Sequence, residues 1–398
     1  SRMGLMRWRI LALLFLARVG LGFQFQTLAS VGDDLVVAFG LTHAEVGTLI
    51  GLFMASGLFL AFPAGLATRI ASDRALAAFG LAALAAGGMI SGLAPDPWTI
   101  GLGRLVAGVG FLVSTLYFTK MIADWFAGRE ITTAMSILVM SWPFGIAMGQ
   151  IGHAWFAANA DWRAPFIAAS IYCVVAAFAI LALYRPATVQ HSPLPLAGKA
   201  TPQFGLSSRE WALVVAAGIA WGAFNAGYVG YLTYGPKSLE GHGATPLEAA
   251  GIISIASWLM ILSGAACGQL VDRIGRRNQV LTICMAGAVA SLLLLQVDGA
   301  GLFASVLFGL IGMAPAGVIM ALAGEAVPPE RRAFGMGAFF TIYYAIMTAG
   351  PPIVGWLHDS WGTTMPLLFA ALLFLAVLPA VLAFDIARAG RTKKAVPS

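Results

Sequence analysis

The chain has 398 residues, of which 60% are hydrophobic and only 10% charged, and its formal net charge is +6. A soluble domain carries about 25% charged residues, so this composition cannot cover a water-facing surface and describes a polytopic membrane protein. The positive balance does not point to nucleic acid, because the basic residues are spread through short loops between apolar runs.

Apolar stretches of about 20 residues, enough to cross ~30 Å of hydrocarbon, fall near 10–31, 44–66, 75–94, 98–121, 131–155 and 164–184. The first lacks a small-residue cleavage site after a short apolar core, so it reads as a retained helix and not a signal peptide. A Pro-rich, polar stretch from Arg185 to Ser208 interrupts the pattern. Six further stretches follow near 209–232, 247–270, 278–297, 301–324, 333–356 and 364–385. The expected fold is all-α, with twelve transmembrane helices. Residues 1–184 form an N-terminal six-helix bundle, 185–208 a cytoplasmic linker, and 209–398 a C-terminal six-helix bundle with a basic tail. The three cysteines, Cys173, Cys267 and Cys284, all lie in apolar runs and imply no disulfide framework.

Placing the N-terminus inside puts 19 of the 23 Lys and Arg residues in cytoplasmic segments. Only Arg163 and Lys237 fall outside, while Arg18 and Arg104 lie within spans. The acidic residues divide almost evenly between the two sides. This asymmetry is the one the positive-inside rule demands, and it sets both termini in the cytoplasm of what reads as a bacterial inner-membrane protein.

Two loops repeat half a chain apart. Gly65-Leu-Ala-Thr-Arg-Ile-Ala-Ser-Asp-Arg74 follows the second span, and Gly268-Gln-Leu-Val-Asp-Arg-Ile-Gly-Arg-Arg277 follows the eighth. The offset is 203 residues, and Arg129 and Arg332 share it. Asp161-Trp-Arg163 and Asp359-Ser-Trp361 occupy matching places before the last span of each half. A motif repeated once per half between membrane-length segments indicates a duplicated transporter. The second loop, through Gly268, Asp272, Arg273, Gly275, Arg276 and Arg277, resembles the signature between the second and third helices of the major facilitator superfamily. In the first copy Arg69 stands where the family has Asp, and Ser72 where it has Gly. In the fourth span Arg104-Leu-Val-Ala-Gly108-Val-Gly110 resembles the family's Arg-x-x-x-Gly-x-Gly. The resemblance implies two pseudo-symmetric six-helix bundles around a central cavity, rocking to expose it to each side in turn. It also implies that Asp272, Arg273, Arg276 and Arg277 latch the cytoplasmic side, one-sidedly here because the first loop has lost its Asp. The fifth span, Ser141-Trp-Pro-Phe-Gly-Ile-Ala-Met-Gly149, lacks the Gly-Pro-x-x-Gly-Gly run of proton-coupled drug exporters. In general look the first and fifth spans are similar to those of bacterial anion, cyanate and nitroimidazole carriers.

Charge inside a bilayer costs at least ~2.5–3.5 kcal/mol, and so normally faces a cavity or a partner. Arg18 lies near the midplane of the first span and Arg104 about six residues from the outer end of the fourth; no Asp or Glu occupies any span core. These cations lack an obvious protein counter-ion, and an anionic solute would supply one. For Arg104, whose motif is shared by carriers of many substrates, a structural or gating role is an equal reading. Lys120 reads as snorkelling to the headgroups, and His153 as a satisfied histidine near the outer surface. Trp142, Trp221, Trp258 and Tyr344 each lie about eleven residues into their spans. Tryptophan normally belongs at membrane interfaces, so three at midplane suggest the walls of a cavity. Trp221, Asn225 and Tyr228 share a helix face, and Gln26 is nearer the Arg18 face than Gln24.

The expected function is secondary active transport of a small, anionic solute by alternating access, with Arg18 and Arg104 the cavity cations. Trp142, Trp221 and Trp258 would form the walls, and Gln26, Asn225 and Tyr344 would donate hydrogen bonds. No metal-ligand spacing and no nucleotide-binding Gly-x-x-x-x-Gly-Lys-Ser/Thr is present, so neither metal, cofactor nor ATP is expected, and the chain is not read as an enzyme. Its partners would be the solute and the lipid bilayer, with the protein a monomer. Proton-coupled efflux of lipophilic drugs is a rival that the missing Gly-Pro run and absent carboxylate disfavour. A non-transporting sensor on the same fold is another, disfavoured because the longest loop has only about 24 residues.

Overall fold

A computed structural model of the chain describes residues 2–66, 70–127, 130–187, 205–328 and 331–390. Arg69 and Arg129, most of the expected linker and the end of the basic tail lie outside the described residues. All regular elements among the described residues are helical, and twelve stretches are long and apolar enough to span a membrane. In lipid every backbone polar group must be satisfied within its own segment, which leaves the helix as the solution for apolar runs of this length.

The N-terminal half contains α1 (Arg2–Phe39), α2 (His43–Leu66), α3 (Asp73–Gly92), α4 (Pro97–Trp125), α5 (Ile131–Val139), α6 (Ser141–Asn159) and α7 (Arg163–Leu183). The C-terminal half contains α8 (Ser208–Gly241), α9 (Pro246–Ile274), α10 (Arg277–Leu294), α11 (Gly301–Leu307), α12 (Ala316–Glu325), α13 (Arg332–Trp361) and α14 (Thr364–Ala389). The connections carry standard start signals. Asp96 accepts from the Thr99 amide ahead of a helix with Pro97 in its first turn, and Thr245 forms a full capping box with Glu248. Gly275 ends α9 with φ 68°, a left-handed conformation that favours glycine.

Two spans that read as continuous in the sequence are broken. The fifth is α5 and α6, joined at Met140, with Pro143 in the first turn of α6. Proline there removes a bond to the carbonyl four residues back and crowds it. The tenth is α11, a π-helical turn over Phe308–Gly312, and α12, with Pro315 just before α12. Gly309 and Gly312 lie against the backbones of Ala256 and Ala288, so α9 and α10 approach this irregular turn closely. The first span is longer than its apolar run, because α1 continues through charged residues at both ends.

Within the N-terminal half α3 packs against α4 and α7, and α1 against α6; within the C-terminal half α8 packs against α14 and α13. The halves meet along two seams, α2 against α13 and α6 against α9. Small residues make the first seam tight. A Cβ at Gly47 would strike the Pro351 carbonyl, one at Gly51 the Thr348 carbonyl, and one at Gly355 the His43 carbonyl.

These contacts are not spread evenly through the depth of the membrane. Among the described residues, every hydrogen bond or ion pair joining the halves lies on the side opposite the termini. The Asp359 carboxylate accepts from the amides of His43 (3.0 Å) and Ala44 (2.9 Å), Lys237 pairs with Asp33, and Gln150 donates to the Leu232 carbonyl at 3.2 Å. On the terminal side each described ion pair stays within one half: Arg7–Glu130, Lys120–Asp73, Arg331–Glu210, Arg388–Glu325 and Arg277–Asp385. Among the described residues, polar fastening between the halves is therefore confined to the side opposite the termini.

Candidate functional site

Arg18 sits where α1 crosses the break between α5 and α6. Its Nη1 donates to Ser141 Oγ at 2.9 Å and to the Leu138 carbonyl at 3.4 Å. Ser141 Oγ itself donates to the same carbonyl at 2.6 Å. The break thus presents a carbonyl and a hydroxyl to a guanidinium that is only 8% exposed. Nε is shielded and unpartnered, whereas Nη2, also without a hydrogen bond, is not among the shielded atoms, so the exposed part of the group includes a free donor. No carboxylate pairs with Arg18 among the described residues.

Trp142 and Phe144, which follow directly, extend this wall. Trp142 meets Phe25 and Phe111 with ring centroids 5.3 Å apart. Phe144 meets Phe15 of α1 at 5.7 Å and, across the second seam, Trp258 of α9 at 5.0 Å. Arg18, Trp142 and Trp258 therefore gather around one irregular turn. The second group lies on α8 and α13. Asn225 donates to the Trp221 carbonyl at 2.8 Å, Trp221 lies 6.3 Å from Tyr343, and Tyr343 lies 5.2 Å from Tyr344. Tyr344 also bears on α2, since a Cβ at Gly57 would meet its ring at 2.6 Å. The hydroxyls of Tyr343 and Tyr344 and the indole N–H groups of Trp142, Trp221 and Trp258 have no partner among the described residues and are not shielded. They are donors left available, Trp142 and Trp258 around the same turn as Arg18 and the others on α8 and α13.

Arg104 and Gln26 do not join these groups. Arg104 is 1% exposed. Its Nε donates to the Leu49 carbonyl (3.2 Å), Nη2 to the Phe25 carbonyl (3.3 Å), and Nη1 to the Gln24 carbonyl (3.4 Å) and Thr27 Oγ1 (3.5 Å). The guanidinium also lies 4.7 Å over the Phe53 ring. This geometry fastens α4 to α1 and α2. Gln26 is 1% exposed, donates to Ser30 Oγ, and packs where a Cβ on Gly149 would stand. His153 is buried rather than interfacial, stacked on Phe23 at 4.4 Å with Nε2 2.7 Å from the Phe23 carbonyl. Lys120 is held by Asp73 at 2.5 Å and Asp124 at 3.5 Å, where snorkelling was expected.

Of the loop residues, Asp272, Arg273 and Arg276 are exposed and form no ion pair among the described residues. Arg277 turns inward to Asp385, which also accepts from Asn278 at 2.8 Å. Among the described residues, then, the loop makes no ion pair to the N-terminal half.

Sequence reasoning missed Ser141, Phe144 and Tyr343. Pro143 signalled the break that orients the first two, and Tyr343 adjoins a residue already singled out. Tyr228, which shares a helix face with Trp221 and Asn225, pairs with Ser257, and nothing in the sequence links the two.

The sequence matches the description "Major Facilitator Superfamily" over residues 14–319 and 240–398. It is 23% identical to the cis,cis-muconate transport protein of Acinetobacter baylyi, covering 96% of this chain and 95% of that protein. It is 24% identical to the gallate transporter of Pseudomonas putida, covering 92% and 88%. The fold resembles that of the nucleoside transporter NupG (D323A mutant), with a TM-score of 0.74 at 14% identity over 95% of this chain and 99% of that one.

Proposed function

Because the chain belongs to the major facilitator superfamily, we propose that it is a secondary transporter of a small organic anion, moved by alternating access between its halves. Its activity is transport and not catalysis, as for its relatives. The observation that carries the anionic reading is Arg18: a near-midplane guanidinium with no carboxylate partner among the described residues, one free donor and an aromatic wall beside it. A planar guanidinium matches a carboxylate through two parallel N–H bonds. Aromatic side chains at Trp142, Phe144 and Trp258 suit the flat, unsaturated body of an acid such as muconate or gallate. Trp221, Asn225, Tyr343 and Tyr344 would contribute from the other half, so that closure around the solute completes the site.

Arg104 takes a fastening role in this account and Gln26 a packing one. The positive-inside asymmetry supports a cytoplasmic location for both termini, which makes the present conformation closed to the outside. Buried acidic groups in the described region reduce to Glu210, which Arg331 holds at 2.6 Å near the terminal side, so the solute anion is the natural counter-charge. The test is a thermal-shift screen of purified protein against unsaturated and aromatic carboxylates, inorganic anions and lipophilic cations, followed by flux in liposomes. Stabilisation and flux by carboxylates support the proposal, whereas a response confined to lipophilic cations would replace it with drug efflux.

A further inference from the structure

The seam on the side opposite the termini gathers a set of groups that solute binding does not use. His43 begins α2, while His358 and Asp359 occupy the last turns of α13. The two imidazoles stand with centroids 3.9 Å apart. His43 Nδ1 is 3.0 Å from Asp359 Oδ1, and one ligand atom from each residue lies within 4.8 Å of the others. His358 Nδ1 is shielded and has no hydrogen-bond partner, a costly condition for a buried polar atom. Asp33 Oδ1 lies 3.6 Å from His43 Nε2 and carries Lys237 on its other flank.

We infer that His43, His358 and Asp359 form a binding site for a zinc-like divalent cation that joins the two halves and holds this side of the transporter shut. Two imidazole nitrogens and one carboxylate oxygen are a donor set that suits zinc and leaves a fourth position for water. Bonds of 2.0–2.2 Å set tetrahedral ligand atoms roughly 3.4 Å apart. The observed spacing, 3.0 Å for one pair and within 4.8 Å for all, brackets that value. Asp33, 3.6 Å from the other ring nitrogen of His43 and paired with Lys237, adds negative charge beside the site without a hydrogen bond to the ring. Nitrogen donors also select against magnesium and calcium, which take oxygen.

The functional consequence follows from where the ligands come from. One is in the N-terminal half and two are in the C-terminal half, so the complete set exists only while the seam is closed. A cation that binds one conformation draws the population toward it. Such a cation would act as a brake on the transport cycle from this face. The brake's outside location rests on the orientation proposed above; the site itself does not.

The experiment is equilibrium dialysis of zinc against tag-free protein in nanodiscs, with cysteine accessibility at Ile50, beside the seam, as the readout of closure. No solute is needed, so the result stands apart from the anionic reading. The parent should bind one zinc per chain, and zinc should suppress labelling at position 50. His43→Ala and His358→Ala should each weaken binding by at least about 100-fold, the upper end of what loss of an outer-shell partner costs. His358→Ala leaves the Asp359 bonds to α2 intact, so it should label like the parent without zinc and ignore zinc when it is added. Absence of zinc binding in the parent, or binding as tight as the parent's in either histidine variant, overturns the site. Binding that leaves labelling of the parent unchanged overturns the brake.

Discussion

Asp359 serves as the N-terminal cap of a helix in the other half of the molecule: its carboxylate accepts from the amides of His43 and Ala44, which begin α2 more than 300 residues earlier. The first amides of a helix lack partners within it, and a carboxylate there is favoured both by hydrogen bonding and by the helix dipole. Thr42, just before the helix, supplies the usual local cap to the Glu45 amide at 3.2 Å. The His43 and Ala44 amides are capped from across the seam, so α2 is fully capped only when this side is closed.

Replacing Asp359 should therefore shift conformation more than folding. A cap of this kind is worth about 0.5–2 kcal/mol, which corresponds to a roughly two- to thirtyfold change in the balance of states. Asp359→Ala should raise labelling of a cysteine at position 50 accordingly, with little change in thermal stability. Unaltered labelling would remove the cap from the gating account.

Gly51 allows a direct steric test of the same seam. Its missing Cβ leaves room for the Thr348 carbonyl, a backbone atom that cannot rotate aside. Gly51→Leu should prevent closure, expose position 50 and stop turnover, while a solute site on the separated halves stays reachable. Retention of parental flux by this variant would mean that the seam can loosen without consequence.

The two buried arginines should behave differently. Arg104→Leu strips donors from three main-chain carbonyls and one hydroxyl in α1 and α2. The carbonyls keep their intrahelical donors, so the cost is the lost charge-assisted bonds and packing, roughly 2–4 kcal/mol in all. Thermal denaturation in detergent should report a clear fall in Tm. A variant as stable as the parent would show that these bonds do not fasten the helices.

Asp272 has no ion-pair partner among the described residues, and the latch role proposed for it belongs to the opposite conformation. Asp272→Asn should slow transport far more than it weakens solute binding. Parallel measurement of flux in liposomes and equilibrium binding checks this, and equal rates with a raised Kd would argue against a latch.

The spans and their number were legible because lipid imposes one solution on a long apolar run. The loop through Asp272 and Arg277 was legible because its spacing repeats in the chain. Arg18 stood out as a charge with nothing near it in sequence to neutralise it. The break at Met140 was not read, although Pro143 marks it, because hydropathy averages over a span and does not register a lost backbone bond. For Arg104 a cavity role and a structural one read equally, because its acceptors are carbonyls of Gln24, Phe25 and Leu49, and main-chain oxygens carry no signature in sequence. The cap that Asp359 gives α2 joins residues too distant for any local pattern to connect.

The central claim is that Arg18 receives the anionic group of the solute, and binding to Arg18 variants tests it most directly. Muconate, gallate and related carboxylates would be titrated into the parent, Arg18→Ala and Arg18→Lys in nanodiscs, with folding checked by thermal melting. Leaving one side of a buried charge pair unmatched costs ~3–5 kcal/mol, so Arg18→Ala should lose about two to three and a half orders of magnitude in affinity. Arg18→Lys should keep part of it, since the charge remains but the planar fork is gone. Variants that bind these acids as tightly as the parent would contradict the account.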